Sequence, residues 1–116
     1  MKKISASILV LLILLTIACA SSAYQEAVQY EHSQAIGYKE AFDVVQNMRG
    51  VGRVNGAQWS RFLTAAEEVR AAGIQVDQDL DQWRDSGKKP AGYDQHSAAL
   101  HAAHGKVLGL AAEVSL

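Results

Sequence analysis

The clearest pattern in the sequence is a repeat of apolar or small residues, at alternating steps of three and four, between positions 59 and 83. Its members are Trp59, Phe62, Ala66, Val69, Gly73, Val76, Leu80 and Trp83. This heptad spacing places all of them on one face of an α-helix, as in helices that pack lengthwise or form coiled coils. Asn55 and Gln58 resemble a capping pair before the repeat, and Ser86-Gly87 supplies a stop after it. The pattern predicts a helix over residues 57–86.

Two further repeats of this kind flank the first one. The repeat on the C-terminal side comprises Tyr93, His96, Leu100, Ala103, Val107, Leu110 and Val114. The repeat on the N-terminal side comprises Tyr24, Val28, Glu31, Ala35, Tyr38, Phe42 and Val45, and the glutamate interrupts its apolar character. These repeats predict helices over residues 24–49 and 90–115, with Pro90 in the first turn of the latter.

Short segments that contain glycine, residues 50–56 and 87–92, separate the three predicted helices. Connections of this length favour antiparallel neighbours. We therefore expect an all-α fold with an antiparallel, up-down-up three-helix bundle.

The N-terminal residues have a different pattern. Lys2 and Lys3 are followed by no charged residue until Glu26, and the apolar run is richest over residues 8–17. A basic tip, an apolar stretch of about ten residues and a small-residue tail are typical of a secretory signal peptide. Residues 4–23 are also about long enough for a retained membrane span. The small and polar tail, residues 18–23, argues against that alternative, since a retained span more often ends in bulky or basic anchors.

Cys19 is the only cysteine of the chain, and residues 15–19, Leu-Thr-Ile-Ala-Cys, resemble the lipobox of bacterial lipoproteins. Ala18 matches the small residue that the lipobox has before its cysteine, and Ile17 is accepted at the preceding position. Thr16 departs from the leucine that the lipobox usually has three residues before its cysteine. The resemblance implies cleavage before Cys19 and lipidation of that residue, whereas an ordinary Ala-x-Ala cleavage site ending at Ala20 or Ala23 is the alternative.

The lipobox resemblance covers the first nineteen residues and identifies no family for the mature domain. It implies that residues 1–18 are a signal peptide and residues 19–116 the helical bundle domain. A lone cysteine cannot form an internal disulfide bond, and acylation would account for its presence in an exported protein. The resemblance further implies a lipid anchor in the cell envelope. In a Gram-negative cell, Ala20 in place of aspartate implies the periplasmic side of the outer membrane.

The charge balance of the chain argues against nucleic acid as a partner. Removal of residues 1–18 leaves 98 residues and changes the formal net charge from −1 to −3, because Lys2 and Lys3 are lost. That length suits one small domain. A weakly acidic domain offers no broad cationic surface for nucleic acid.

The third predicted helix carries a stripe of small residues opposite Leu100 and Val107. The stripe comprises Ala98, Ala102, Gly105, Gly109 and Ala112. Alanine is a good helix former, but each glycine inside a helix costs about 1 kcal/mol. Small residues allow close approach of another helix. We therefore expect an interface at Ala98, Ala102, Gly105 and Gly109, with an envelope protein or a second copy of the chain.

Three histidines of the third helix raise the question of a metal site. His101 and His104 are three residues apart and can face the same way, whereas His96 lies in the apolar repeat. His101 and His104 could bind Zn²⁺, Ni²⁺ or Cu²⁺ together with a carboxylate of a neighbouring helix. The simpler expectation is a hydrogen-bonded His96 in the core, with His101 and His104 in solvent, and no metal or other cofactor.

The remaining motifs give little support to an enzyme. Asp77, Asp79 and Asp81 resemble the opening of a calcium loop, but Gln82 replaces the required glycine and Lys88 the required glutamate. We expect these aspartates to form a solvated acidic face. The only cysteine is in the lipobox, so no catalytic Cys/His pair can form in the mature domain.

These patterns predict a membrane-tethered envelope lipoprotein that acts as a structural or protein-interaction module. The first alternative is a periplasmic metal sensor or carrier that uses His101 and His104. A phage or plasmid product acting at the host envelope is a further alternative.

Overall fold

A computed structural model describes the backbone of residues 2–116 and the side chains of residues 22–116. It contains three helices, α1 (Lys2–Gly50), α2 (Gly56–Ser86) and α3 (Tyr93–Ser115), and no strand among the residues described. The expected all-α class is confirmed. The predicted signal peptide, residues 1–18, and the predicted lipidation site, Cys19, lie outside the residues with described side chains.

Helix α1 begins at Lys2 and not near the predicted residue 24. Residues 2–36 contain neither glycine nor proline, so nothing in this stretch interrupts the backbone hydrogen bonds of a helix. The apolar N-terminal residues and the polar residues after them therefore share one helix. In residues 22–116, no helix combines the length and the apolar character that crossing a membrane requires.

Both ends of α2 are fixed by the local signals in the sequence. The Gln58 N–H donates to Asn55 Oδ1 at 2.8 Å, and the Asn55 N–H donates to Gln58 Oε1 at 2.9 Å. At the other end, Gly87 has a φ of 72° and its N–H donates to the Trp83 carbonyl at 2.8 Å. A residue with a side chain rarely adopts this left-handed conformation, so glycine stops the helix there. The predicted capping pair and stop are confirmed.

Helix α3 begins three residues later than predicted. Its first residue is Tyr93, whose N–H donates to the Pro90 carbonyl at 3.2 Å in the preceding turn. Pro90 therefore closes the connecting turn and does not lie in the first turn of the helix.

The buried core follows the predicted repeat of α3 closely and that of α2 in part, since Ala65 and Asp79 are buried outside the α2 repeat. Its largest fully buried side chains are Phe62, Val45, Val76 and Val107. The repeat predicted for α1 is wrong in part, since Ala35 is exposed and Val28 is 38% exposed, whereas Ala41 is buried. Two polar residues of α1, Glu31 and Gln34, bond to side chains of α3, so the side of α1 that faces α3 is partly polar.

Each pair of helices is in direct contact. Phe42 of α1 lies against Phe62 of α2, with ring centroids 5.1 Å apart. The Lys106 ammonium of α3 lies 2.7 Å from a carboxylate oxygen of Glu68 in α2. All three helices contribute residues to a small pocket near their middle, which we call the central pocket.

Candidate functional site

The central pocket is a notch of about 220 Å³. It is lined by Glu31, Ala35 and Tyr38 of α1, by Val69, Gly73, Val76 and Asp77 of α2, and by Leu100 and His104 of α3. Two of the lining residues, Ala35 and Gly73, are small and leave this space open. A Cβ atom added at Gly73 would have no described atom within 4 Å apart from its neighbours in the helix.

His104 forms the innermost polar part of this notch. Its side chain lies against Tyr38, with ring centroids 5.2 Å apart and planes only 23° from parallel. The residue is 3% exposed, and its Nδ1 has no hydrogen-bond partner among the described residues. A buried polar atom without a partner costs about 1–3 kcal/mol. The expectation of a solvated His104 is therefore wrong, because position 104 lies one turn from Leu100 on the inward side of α3.

Burial lowers the pKa of His104 below its usual value of 6.5. The positive form loses its hydration when the imidazole is enclosed, so protonation becomes unfavourable. The negative charge of Glu31 opposes this effect, and the neighbouring His101 adds to it. His104 is thus a neutral group enclosed between α1 and the rest of the fold.

Glu31 connects α1 to α3 through two hydroxyl groups. The Tyr93 hydroxyl donates to Glu31 Oε1 at 2.9 Å, and the Ser97 hydroxyl donates to the same oxygen at 2.6 Å. Burial, and next the hydrogen bond to Glu31, raise the pKa of Tyr93 to about 12. The glutamate that interrupts the first apolar repeat is therefore an interhelical contact. In the sequence, the one sign of this contact is that a charged residue stands at an apolar position of the repeat.

A second buried polar contact joins α2 to α3. His96 Nδ1 lies 2.5 Å from Asp79 Oδ2, and Asp79 is 9% exposed. The space for the His96 ring depends on Gly92, since a Cβ there would lie 3.1 Å from His96 Cε1. The expectation of a hydrogen-bonded His96 is confirmed. The expected solvated acidic face is wrong for Asp79, although Asp77 and Asp81 are exposed.

The two histidines proposed as metal ligands occupy different environments. His101 is exposed, and its Nδ1 lies 2.9 Å from Gln34 Oε1, whereas His104 is enclosed in the core. In the part of the chain with described side chains, no three or more His, Cys, Asp or Glu residues are grouped as metal binding would require.

The predicted small-residue interface is exposed and divided between two grooves. Gly105 and Gly109 line a groove of about 480 Å³ between α2 and α3, opposite Thr64. Ala98 lines a separate groove of about 830 Å³ between α1 and α3. Ala102 is exposed as well. The stripe is therefore continuous on α3, but its two ends adjoin different helices.

Charged side chains line the groove that contains the glycines. The Arg61 guanidinium lies 2.9 Å from a carboxylate oxygen of Glu113, and the Lys106–Glu68 ion pair lines the same groove. Arg61, and next Gln58, lower the pKa of Glu113 through their hydrogen bonds to it. All these charges are solvent-exposed, so they contribute little to stability.

Comparison with known proteins adds no functional assignment. Protein-family models, curated protein sequences and solved structures give no match to the chain.

Proposed function

We propose that the protein is an exported lipoprotein, tethered to the cell envelope through Cys19, whose helices form a structural or protein-interaction module without catalytic activity. The observation that carries the proposal is the combination of a lipobox-like segment at residues 15–19 with a helical domain directly after it. The exposed small-residue stripe of that domain is its candidate contact surface.

The proposed topology is an antiparallel up-down-up bundle. Three contacts between α2 and α3 support it, because positions that rise along α2 pair with positions that fall along α3. The pairs are Arg61 with Glu113, Glu68 with Lys106, and Asp79 with His96. Between α1 and α3 the paired positions rise together, from Glu31 with Tyr93 to Tyr38 with His104.

This topology suggests an orientation on the membrane. Tyr24 lies against Trp83, with ring centroids 5.9 Å apart, and Ala23 lines the same groove as Lys89. A lipid anchor at Cys19 would therefore bring Lys88 and Lys89 close to the headgroups. Each basic residue can add about 1 kcal/mol to binding at an anionic membrane surface. The connection that contains Arg53 would then face away from the membrane.

The proposed partner is another envelope protein or a second copy of the chain, bound at Ala98, Ala102, Gly105 and Gly109. Both glycines are open to solvent, and a Cβ at either position would meet no described atom within 4 Å beyond the helix itself. Another helix could thus approach the α3 backbone closely there.

Intact-mass analysis of protein extracted from membranes tests the tether. We expect a chain that begins at Cys19 and carries added acyl mass, and we expect Cys19→Ser to be released from membranes or left unprocessed. Multiple acyl chains hold firmly because each buried methylene contributes about 0.8 kcal/mol. An unmodified N-terminus at Ser21 or Tyr24, or a chain that retains Lys2, would reject the proposal.

A further inference from the structure

We propose that Asn55 is a site of spontaneous deamidation, in which the backbone nitrogen of Gly56 displaces the side-chain amide, and that the capping bonds of Asn55 control the rate. This inference concerns the connection between α1 and α2 and does not depend on the proposed lipid tether.

The residue after Asn55 leaves the attacking nitrogen accessible. Gly56 has no side chain, and a Cβ atom added there would meet no described atom within 4 Å beyond its chain neighbours and the backbone of its helix. Gly56 is also the first residue of α2, and the first N–H groups of an α-helix have no acceptor within the helix. The Gly56 nitrogen therefore has no β-carbon beside it and takes no part in a helical hydrogen bond.

The reaction needs only water as a co-reactant, and asparagine is one of the chemically labile residues of proteins. The Gly56 nitrogen forms a bond to Cγ of Asn55 and gives up its proton, the Cγ–Nδ2 bond breaks, and ammonia leaves. Water then opens the resulting succinimide ring. Cleavage of the bond between Cγ and the Gly56 nitrogen gives aspartate, whereas cleavage of the bond between the backbone carbonyl carbon and that nitrogen gives isoaspartate. No group is oxidised or reduced.

The capping pair holds Asn55 in a conformation that does not react. Its Oδ1 accepts the Gln58 N–H at 2.8 Å, its N–H donates to Gln58 Oε1 at 2.9 Å, and its ψ is 173°. Ring closure requires release of Oδ1 and rotation about the Cα–C bond of Asn55, so that the Gly56 nitrogen comes beside Cβ. These movements break the cap. The reaction therefore proceeds from the open form of the cap, whose population depends on the strength of the two hydrogen bonds.

The two products differ in their effect on the start of α2. Aspartate at position 55 keeps the acceptor oxygens of the cap and adds a negative charge, which the first turn of a helix stabilises. Isoaspartate adds an extra carbon to the main chain and displaces the carbonyl that accepts the Trp59 N–H at 2.9 Å. The Arg49 guanidinium of α1 lies 3.8 Å from the centre of the Trp59 ring. The isoaspartate form therefore loosens the contact between α1 and α2 at this end of the fold.

A second asparagine provides a reference within the same molecule. Asn47 is followed by Met48, and both residues lie inside α1. The Met48 nitrogen has a side chain beside it and a helical hydrogen bond to break, so ring closure at Asn47 would disrupt a turn of the helix.

Incubation of the full-length protein in detergent micelles at mildly alkaline pH, followed by peptide mapping with mass spectrometry, tests this inference. We expect conversion of Asn55 to a mixture of aspartate and isoaspartate, each with a hydroxyl in place of the amino group, at least about tenfold faster than conversion of Asn47. Equal rates at the two asparagines, or no conversion of Asn55, would overturn the inference.

A substitution at position 56 tests the role of the attacking nitrogen. Gly56→Ala leaves the cap in place, because the added Cβ has open space, and should slow the conversion of Asn55 at least about tenfold by hindering the nitrogen. Gly50→Ala is the matched control at the other end of the connection, where a Cβ also has open space. Equal rates in the two variants would show that the Gly56 nitrogen is not the attacking group.

A substitution at position 58 tests the control by the cap. Gln58→Ala removes the acceptor of the Asn55 N–H and should speed the conversion of Asn55 about fivefold, the factor expected for one net hydrogen bond. Gln75→Ala, at an exposed position of the same helix, should convert at the rate of the unaltered protein. If Gln58→Ala and Gln75→Ala were converted at the same rate, the cap would not control the reaction.

Discussion

The Nδ1 atom of His96 and the Oδ2 atom of Asp79 lie 2.5 Å apart and join α3 to α2 across the core. The aspartate is nearly buried, whereas the histidine side chain is 35% exposed. Loss of the histidine would therefore leave a carboxylate in a poorly solvated position, which is more costly than loss of an exposed pair.

The first prediction concerns this contact. His96→Ala should lower the free energy of unfolding by about 1–3 kcal/mol, because it leaves the nearly buried carboxylate of Asp79 without its hydrogen-bond partner. Arg84→Ala is the control, since it removes the cation that lies 3.5 Å from the exposed carboxylate of Asp81. Denaturant unfolding of both variants gives the comparison. Equal losses would mean that the buried contact contributes no more than an exposed ion pair.

The second prediction concerns the pH dependence of stability. Well above pH 6.5, His104 is neutral in both the folded and the unfolded chain. As the pH falls below its usual pKa of 6.5, the unfolded chain binds a proton there but the folded chain resists it, because burial lowers the folded pKa. The free energy of unfolding should therefore fall with pH, by at most about 1.4 kcal/mol per unit. The decrease should end below the folded pKa.

A substitution separates His104 from the other titrating groups. His104→Phe keeps a ring against Tyr38 but cannot bind a proton, so its stability should change less between pH 7 and pH 5.5. Glu67 and Glu113 do not account for this window, since their lowered pKa values place their effects at and below 4.5. The same decrease in the wild type and in His104→Phe would assign it to another group.

The third prediction concerns the small-residue stripe. Replacement of both Gly105 and Gly109 by leucine should abolish crosslinking of the protein to its partner or to a second copy in membranes, because the larger side chains prevent close helix approach. The fold should persist, as neither position is crowded. Gly37→Leu provides the same change on another helix. Unchanged crosslinking in the double variant would leave the glycines without a role in association.

The extent to which the sequence predicts this fold differs among the helices. The bounds of α2 follow from contacts within a few residues, the Asn55–Gln58 pair and the positive φ of Gly87, so the sequence pattern was sufficient. The buried face of α1 depends on Glu31, whose hydroxyl donors lie 62 and 66 residues away. Local periodicity contains no information on such a partner.

The same limitation applies to the candidate site. The central pocket combines residues from all three helices, and no one helix carries a motif for it. The sequence predicted Asp79 to belong to an acidic surface because it alternates with Asp77 and Asp81 in one polar run. Its burial depends on His96 of another helix. The third repeat placed His96 on the side of α3 that faces α2, where it contacts Asp79, but its side chain is 35% exposed and not part of the core.

The last prediction concerns the contact between Glu31 and Tyr93. The folded pKa of Tyr93 is raised to about 12 from its usual 10.0, mainly by burial and next by the Glu31 carboxylate. Glu31→Gln removes the negative charge but retains an oxygen that can accept the hydrogen bond. The pKa of Tyr93 should therefore decrease towards 10.0 without reaching it, because burial persists. NMR of the Tyr93 ring carbons through an alkaline titration measures this change.

The direction of the shift also fixes its effect on stability. Between pH 10 and pH 12 the unfolded chain loses the Tyr93 proton while the folded chain keeps it, so the free energy of unfolding falls as the pH rises through this window. In Glu31→Gln the decrease over the same window should be smaller, since the two pKa values are closer. Glu40→Gln, on the exposed side of α1, should behave as the wild type. If Tyr93 titrated at the same pH in Glu31→Gln and in Glu40→Gln, burial alone would account for its raised pKa, and the carboxylate would serve only to position the hydroxyl groups of α3.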